Sequence, residues 1–352
     1  MVYPSFDAIL QSVATSPDLE NLEALLCIDD TQQMEKLFSL ARNIRDVTSG
    51  KRMVLRGLVE FSNYCRNTCF YCGLNRTNAS VSRYRLSEEE ILACAHDIAA
   101  QGIGTIVLQS GEDAFTSLYL SKIVEKIKDR YNLALTLSVG ERPASDYRDW
   151  KLAGADRYLM RIESSDKKLY ESIHQGRTLS SRIKCLDVLR DLGYQVGSGI
   201  MVGFPGQTVS HIAQDIKFFC ERDFDMIGIG PFIPHEQTPF RSSPGGDLLL
   251  TLKTIALTRI TTKNAWIPST TALGSLDRDC RLDGLQAGAN VIMPNFTSLS
   301  CKKKYEIYPN KEGSNMRGSE SLASLSSLAR SAELVVDGSR CDSLKKSYIQ
   351  NL

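Results

Sequence analysis

The stretch CRNTCFYC, residues 65–72, places three thiols within eight residues, with three residues in the first gap and two in the second. A thiolate is a soft ligand that suits iron–sulfur clusters and zinc. A closed structural site usually has four ligands, yet no further Cys or His follows within twenty residues. Cys65, Cys69 and Cys72 are therefore candidate ligands of an iron–sulfur cubane that keeps one iron open to a small molecule. The alternatives are a zinc knuckle or three unrelated buried thiols.

Composition and charge indicate an ordinary globular protein of 352 residues with a net charge of +1. This charge gives no bulk attraction to nucleic acid or to an anionic membrane, and no apolar run reaches the roughly 18 residues of a membrane span. The first residues lack the pattern of a secretory signal. Ten cysteines in such a chain favour thiols and metal over disulfides. We therefore expect a cytoplasmic protein without a nucleic-acid or membrane partner.

Apolar runs and amphipathic helices alternate regularly from about residue 52 onward. Eight strands are predicted, at residues 54–61, 105–109, 134–139, 157–162, 197–202, 226–232, 265–271 and 290–293. Eight strands that alternate with helices predict a complete (β/α)₈ barrel, with an open doubly wound α/β sheet as the alternative. The cysteine loop follows the first strand, so it lies at the carboxyl ends of the strands, where such barrels carry their chemistry.

Three regions are expected along the chain. Residues 1–50 have a helical pattern and form an N-terminal arm, residues 51–300 form the barrel, and residues 301–352 form a short C-terminal extension. The extension is expected to hold a helix or two and to end in a partly mobile tail.

Polar residues follow several predicted strands. Gln109-Ser110-Gly111-Glu112-Asp113 closes the second strand, where glycine allows the backbone to approach a ligand, although an ordinary tight turn has the same composition. Thr136 and Ser138 end the third strand. Paired hydroxyls at Thr270 and Thr271 suit a small polar ligand, and sheet hydroxyls bonded to backbone are the alternative.

Two arginines are candidate anion ligands. Arg157, Arg161 and Glu163 are predicted to share one face of the fourth strand, and a buried arginine is costly unless an anion pairs with it. The alternatives are an internal salt bridge, or Arg161 on a substrate carboxylate with Glu163 on a cofactor. Arg182 would form a bidentate pair with a carboxylate, although a lone arginine on a helix is more often a surface charge. No histidine is spaced for Cys–His or Ser–His–Asp catalysis.

Several longer stretches resemble one enzyme family. They are EFSNYCRNTCFYCGL, RYRLSEEEI, TIVLQSGED, GADRYLMRIES, MVGFPGQT, DFDMIGIGPFIPH, IPSTTALG and GANVIMPN, and they run from about residue 50 to 310. Together with CxxxCxxC and an aromatic residue before the last Cys, they resemble the radical S-adenosylmethionine (SAM) superfamily. Within it the chain is similar to the [FeFe]-hydrogenase maturases of the HydE type.

This resemblance implies a radical SAM barrel in which Cys65, Cys69 and Cys72 hold one [4Fe–4S] cluster, whose open iron SAM chelates. It implies reductive cleavage of SAM to a 5′-deoxyadenosyl radical, which acts on a cysteine-containing iron precursor of the hydrogenase cluster. The implied electron donor is a flavodoxin or ferredoxin, with other hydrogenase maturation proteins as further partners. The implied SAM contacts are Tyr71, Gln109, Gly111, Glu112, Ser138, Glu163, Arg182, Met201 and Ile229. The implied pocket for an amino-acid-like substrate is Thr136, Arg161, Thr270, Thr271, Tyr305 and Tyr308.

Two departures from the family pattern leave the substrate open. Members often have His between the fourth-strand Arg and Glu, and here that residue is Ile162. Some members carry three further cysteines near the C-terminus, whereas this chain has Cys301 and Cys341, so we expect no second cluster. An amino-acid mutase resembling methylornithine synthase is the main alternative. A biotin-synthase-like enzyme would need further cysteines on barrel strands, and a non-enzymatic iron–sulfur carrier would not use the SAM contacts.

Overall fold

The computed structural model describes residues 5–345. Its nine strands are β1 (Arg52–Leu55), β2 (Gly57–Ser62), β3 (Thr105–Ser110), β4 (Ala134–Ser138), β5 (Arg157–Leu159), β6 (Gln195–Val202), β7 (Met226–Pro231), β8 (Val291–Ile292) and β9 (Val335–Asp337). Its helices are α1 (Phe6–Thr15), α2 (Leu19–Leu26), α3 (Thr31–Ser49), α4 (Glu88–Ala100), α5 (Ser117–Arg130), α6 (Ala144–Leu152), α7 (Lys167–Ile173), α8 (Leu179–Asp191), α9 (Val209–Arg222), α10 (Leu248–Thr262), α11 (Thr271–Gly274), α12 (Arg281–Gln286), α13 (Leu299–Lys302) and α14 (Gly318–Ser331).

The strands form two parallel sheets. One has six strands in the order β2-β3-β4-β5-β6-β7, and the other has the order β8-β1-β9. Every pairing is parallel, so all carboxyl ends of a sheet lie at one edge. The predicted alternation of strands and helices is confirmed as a parallel α/β fold.

Two predicted strands differ in detail. The first is interrupted at Arg56, which separates β1 from β2. The predicted strand at 265–271 is wrong as a regular strand, because this stretch makes only single bridges, Trp266 to Met226, Ser269 to Ile229 and Pro268 to Val291. Proline has no backbone N–H to donate to a ladder, so Pro268 prevents a continuous strand here.

The first three helices pack on the outside of the fold. Helix α3 lies against α10, and α2 lies against both α9 and α10. Each of the three begins with a side-chain cap, from Ser5, Asp18 and Asp30 respectively, which satisfies an otherwise free N–H of the first turn. These residues therefore cover the helical layer, and α3 also contacts the residue before β8, because Ser49 Oγ accepts from Asn290 Nδ2 at 3.1 Å.

The segment after α14 crosses the amino-terminal ends of the strands. Arg157, at the start of β5, donates hydrogen bonds to the carbonyls of Arg340 and Cys341 and to Asp342 Oδ1 at 2.6, 3.0 and 2.8 Å. Trp266 Nε1 donates to the Asp342 carbonyl at 3.1 Å. Arg157 thus lies at the end of the sheet opposite the cysteine loop. The expected mobile tail falls largely on residues 346–352, which lie outside the described part.

No helix between residues 5 and 345 combines the length and the apolar character that a membrane crossing requires.

Candidate active site

A cavity of about 320 Å³ opens at the carboxyl ends of the strands. Its lining on β7 includes Gly228 and Gly230, which have no side chains and so leave the interior open there. Most of the residues predicted from the sequence line this one cavity: Cys69, Tyr71, Cys72, Gln109, Glu112, Ser138, Arg161, Glu163, Arg182, Met201, Thr270, Thr271, Tyr305 and Tyr308. The fold thus brings together residues that are up to 239 positions apart in the sequence (308 minus 69).

The cysteine loop follows β2 and is fixed by backbone hydrogen bonds to three other segments. Arg66 N donates to the Glu112 carbonyl at 3.1 Å, Phe70 N to the Ile173 carbonyl at 3.1 Å, and Gly73 N to the Ile307 carbonyl at 2.9 Å. All three cysteines are free thiols and partly buried. The loop is therefore held in place by the rest of the fold.

The surroundings of the thiols fit a bound iron–sulfur cluster. Burial raises the pKa of Cys69 to about 12, with the Cys65 thiolate as a further cause. The pKa values of Cys65 and Cys72 are also raised, mainly by burial. Thiolates are stable in such a place when a metal withdraws their charge. Within residues 5–345, no three His, Cys, Asp or Glu side chains converge on a point for a single metal ion, so the fit rests on the three-thiol donor set beside the cavity.

Glu112 joins the cysteine loop to the neighbouring loops. Its Oε1 accepts hydrogen bonds from Arg66 Nε at 2.9 Å and from Arg177 Nη2 at 2.5 Å, and its Oε2 accepts from Glu141 N at 2.9 Å. Burial alone would raise the pKa of this carboxyl, but the Glu141 N–H, the charges of Arg182 and Arg177 and the hydrogen bond from Arg66 keep the pKa below its usual value. The side chain of Glu112 therefore has a bracing role in addition to its position on the cavity wall.

Arg182 reaches the cavity from α8 and is buried, in contrast to a surface charge. Its Nε lies 3.0 Å from Glu141 Oε1 and 3.1 Å from the Tyr170 hydroxyl. Burial opposes its charge, but Tyr170 and Glu141 outweigh this effect and raise the pKa of Arg182. The guanidinium is thus a fixed cation beside the cysteine loop, suited to a carboxylate.

Arg161 and Glu163 face one another across the cavity wall. Arg161 Nη2 lies 3.0 Å from Glu163 Oε2 and donates to the Ile200 carbonyl at 2.5 Å. Among the described residues, Arg161 Nε and Glu163 Oε2 are both buried without a hydrogen-bond partner. The two side chains therefore form an ion pair without an aligned hydrogen bond. Burial raises the pKa of Glu163. Such unsatisfied buried atoms call for a further partner, and a polar ligand in the cavity would supply it.

A histidine supports the aromatic residue of the cysteine loop. The Tyr71 hydroxyl lies 2.9 Å from His174 Nε2, and His174 Nδ1 lies 2.9 Å from the Tyr170 carbonyl. A carbonyl only accepts, so Nδ1 carries the proton and Nε2 accepts from the tyrosine. Burial and the nearby Arg182 lower the pKa of His174 to about 3. His174 therefore acts as a neutral hydrogen-bond acceptor that orients Tyr71.

Residues 303–317 contribute one wall of the cavity and are called the cover segment below. Tyr305 and Tyr308 line the cavity from this side, and the Tyr305 hydroxyl accepts from Gln109 Nε2 at 3.4 Å. Lys311 Nζ lies 2.5 Å from Glu60 Oε1 on β2 and donates to the Tyr305 carbonyl at 2.8 Å. An ion pair inside the cavity wall therefore attaches the cover segment to the sheet.

Four predicted residues lie outside the cavity lining. A Cβ at Gly111 would lie 2.3 Å from the Tyr64 carbonyl oxygen, so this glycine permits close approach of the cysteine loop. Thr136 is buried, two residues before Ser138, with an unpartnered hydroxyl. Ile229 is buried in the hydrophobic core between Gly228 and Gly230. It is therefore not part of the cavity lining, whereas the glycines on either side are. Cys65, the fourth, belongs to the cysteine loop beside the cavity.

Ile162 lies in the hydrophobic core and is fully buried. Its neighbours Arg161 and Glu163 both line the cavity. The departure from the family pattern at this position therefore leaves the lining of the cavity unchanged.

Sequence reasoning missed four residues of this site: Glu60, Glu141, His174 and Lys311. Glu60 lies in an apolar stretch, LVEF, where a lone charge is a usable signal. Glu141 follows the end of the third predicted strand, but nothing in the local sequence assigns it a role. His174 and Lys311 lie in irregular or short elements, and their partners are distant in sequence, so no local pattern marks them.

Comparisons with known proteins agree with this geometry. Residues 59–219 match the model of the radical SAM superfamily. The chain is 46% identical over 293 residues to the [FeFe] hydrogenase maturase subunit HydE of Thermotoga maritima, covering 83% of this chain and 84% of that protein. It is 28% identical over 306 residues to 3-methylornithine synthase of Methanosarcina acetivorans, covering 85% and 86% of the two chains.

Solved structures share the fold. The crystal structure of methylornithine synthase (PylB) superimposes with a TM-score of 0.80 at 22% identity, over 97% of this chain and 99% of that one. The [FeFe]-hydrogenase maturase HydG from Carboxydothermus hydrogenoformans gives 0.76 at 20% identity, over 94% and 79%. At these identities the likeness concerns the fold alone. From the matched domain, the extent of identity and the cysteine loop, the chain belongs to the radical SAM superfamily and, within it, to the HydE family.

Proposed function

We propose that this radical SAM enzyme acts in hydrogenase maturation, on a small iron precursor with a cysteine-like moiety. The single observation that carries the proposal is one cavity that joins the three-cysteine loop to an incompletely paired Arg161 and to Thr270 and Thr271. The 46% identity to HydE supports the same assignment. When bound, the [4Fe–4S] cluster and SAM supply one-electron reductive cleavage of a sulfonium carbon–sulfur bond.

In this proposal the chain supplies binding, orientation and exclusion of water. Cys65, Cys69 and Cys72 would hold the cluster. Arg182 and Glu163 would pair with the carboxylate and the amine or hydroxyl groups of SAM, and further contacts would come from Tyr71, Gln109, Ser138, Met201 and the backbone near Glu112.

The substrate end of the cavity would bind the amino-acid moiety. The Arg161 guanidinium, with its buried Nε unpartnered, would take a carboxylate, and the Thr270 hydroxyl, also unpartnered, would take a polar group. Thr271, Tyr305 and Tyr308 would complete the wall, with Thr136 beneath it, and the cover segment would keep water out.

The same arginine keeps one alternative open. Arg161 would hold the carboxylate of any amino acid, so a mutase resembling methylornithine synthase remains the second candidate. The two functions differ in whether the substrate carries iron.

We further propose that the parallel strands close into a complete (β/α)₈ barrel of residues 51–300, with the arm 1–50 and the extension 301–352 as attachments. The single bridges at Trp266, Pro268 and Ser269 support closure between β7 and β8. The proposed setting is the cytoplasm, since all ten cysteines are free. The proposed partners are a flavodoxin or ferredoxin reductant and other hydrogenase maturation proteins.

The test begins with anaerobic reconstitution of the full chain. We expect about four irons per chain, an electron paramagnetic resonance spectrum that changes on addition of SAM, and formation of 5′-deoxyadenosine. Cys69→Ala should abolish this cleavage, whereas Cys220→Ala, on the far helix α9, should not. Cleavage by Cys69→Ala, or zinc in place of iron, would refute the cluster assignment.

Turnover then separates the two candidate substrates. Consumption of an iron–cysteine precursor, and activation of apo-hydrogenase in a reconstituted maturation assay, would support the maturase. Rearrangement of a free amino acid, with no effect on the iron precursor, would support the mutase.

A further inference from the structure

Glu163 has an unusual backbone. Its φ is +59°, in the left-handed region that non-glycine residues rarely adopt. Its N–H donates to the Gly199 carbonyl at 3.0 Å, and it bridges Ile200 on β6. A strained conformation of this kind persists only where the surroundings enforce it, and it is found most often at functional sites.

The turn that follows Glu163 is fixed by one buried carboxyl from another element. Asp215 on α9 accepts hydrogen bonds from Ser165 N at 2.5 Å and from Ser165 Oγ at 2.6 Å, both at Oδ1. Asp215 is 0% exposed. Ser164 Oγ accepts from Asp166 N at 3.2 Å, and Asp166 in turn caps α7. The chain from Glu163 to α7 is thereby bound to α9 through a single side chain.

Burial of the Asp215 carboxyl at this position costs free energy of folding. Its Oδ2 is buried without a hydrogen-bond partner, and burial raises its pKa to about 7. Burial of a carboxyl costs free energy of folding unless hydrogen bonds offset it, and here they do so at one oxygen. Within residues 5–345, the hydrogen bonds to Oδ1 come from Ser165, two residues after Glu163, which lines the cavity.

We propose that Asp215 is a positioning residue, which holds the turn at Ser165 and thereby keeps Glu163 in the left-handed conformation that presents its carboxylate to the cavity. This inference rests on the proposed function in one respect, the contact of Glu163 with SAM. Asp215 itself touches neither SAM nor substrate and acts through the backbone of the turn.

Binding of SAM to the anaerobically reconstituted protein, measured by equilibrium dialysis, provides the test. Asp215→Ala should weaken SAM binding tenfold or more with unchanged iron content. Asp215→Asn keeps the Oδ1 acceptor and should stay within threefold of the unmodified protein. Glu221→Ala, another carboxylate on α9 but exposed, should have no effect.

A double variant distinguishes positioning from general damage. In a Glu163→Ala background, Asp215→Ala should weaken SAM binding by less than twofold, because the Glu163 carboxylate through which Asp215 acts is already absent. An equal loss in both backgrounds, or no rescue by Asn, would overturn the proposal.

Hydrogen exchange tests the role of Asp215 independently of the proposed function, because it does not require SAM binding. In the unliganded protein, Asp215→Ala should speed amide exchange in peptides that contain Ser165, and Asp215→Asn should not. If the unmodified protein fails to bind SAM, the proposed function fails, while this exchange pattern still decides whether Asp215 holds the turn. Unchanged exchange in Asp215→Ala would refute it.

Discussion

The ion pair between Lys311 and Glu60 predicts a large loss of stability when one partner is removed. The two side chains are 4% and 2% exposed, and their charged atoms lie 2.5 Å apart. Among the described residues, the Glu60 carboxylate would lose its ion pair after Lys311→Met but keep the hydrogen bond from Asn295 Nδ2 to Oε2 at 2.8 Å and the more distant charge of Lys302. Breaking one side of a buried pair costs about 3–5 kcal/mol, since a buried charge is left uncompensated. We expect a loss of this size for Lys311→Met.

The assay is urea unfolding of the reduced, cluster-free protein at neutral pH, followed by circular dichroism. Lys303→Met, an exposed neighbour in the same segment, is the matched control and should change the unfolding free energy by less than about 0.5 kcal/mol. The double variant Glu60→Met with Lys311→Met removes both charges and should recover to within about 1–2 kcal/mol of the unmodified protein.

Two results would contradict this reasoning. One is a loss for Lys311→Met as small as that for Lys303→Met, which would mean that water reaches the pair. The other is a double variant as unstable as the single one, which would mean that packing of the lysine stem, and not charge, holds the cover segment.

Three further predictions concern the cavity and its supports. Arg161→Ala should weaken binding of small carboxylate ligands by roughly 1.5–3 kcal/mol, the scale of a hydrogen bond to a charged group, and unchanged affinity in calorimetry would remove Arg161 from the substrate site. Gly111→Ala should destabilise the protein by about 1–3 kcal/mol through overpacking and lower the iron content, because the new Cβ would meet the Tyr64 carbonyl at 2.3 Å; Gly245→Ala, with 3.6 Å to its nearest atom, is the control, and equal effects would refute the close-approach argument. The pKa of Asp215 is raised by burial to about 7, so the folded state binds the proton more tightly and the unfolding free energy should fall as pH rises from about 4 to about 7. Relative to Asp215→Asn, the unmodified protein should lose about 1.4 kcal/mol per pH unit in that window, and parallel pH profiles in urea unfolding would show that the carboxyl does not titrate there.

Local sequence pattern predicted most of the architecture because the strands are buried on both faces and read as short apolar runs between capped helices. It failed at residues 265–271, where AWIPSTT has an apolar start but Pro268 removes a ladder donor. It also gave no means to tell that the Ile229 side chain lies in the hydrophobic core. A run such as MIGIGP gives no alternation of polar and apolar residues, so the phase of the strand was undetermined.

The cysteine loop was predictable because its ligands are close in sequence. The supports of the cavity were not, because each depends on partners far apart in the chain. Lys311 and Glu60 are separated by 251 residues, and His174 and Tyr71 by 103. Arg157 and Arg161 shared a predicted face, yet only the fold shows that Arg157 binds the segment at 340–342, at the other end of the sheet. The length and direction of a side chain decide which partner it reaches, and the spacing of residues along the sequence does not give either.

The position of Ile162 bears directly on the choice of substrate. A histidine inside the cavity would have changed both the charge and the proton-transfer capacity of the lining, and its loss would have favoured a divergent reaction. Ile162 is instead packed in the hydrophobic core, while Arg161 and Glu163 on either side line the cavity. Replacement of a core residue alters packing and leaves the polar lining as it was. The departure therefore gives no reason to separate this chain from the maturases, and the distinction from a mutase depends on what Arg161, Thr270 and Thr271 bind.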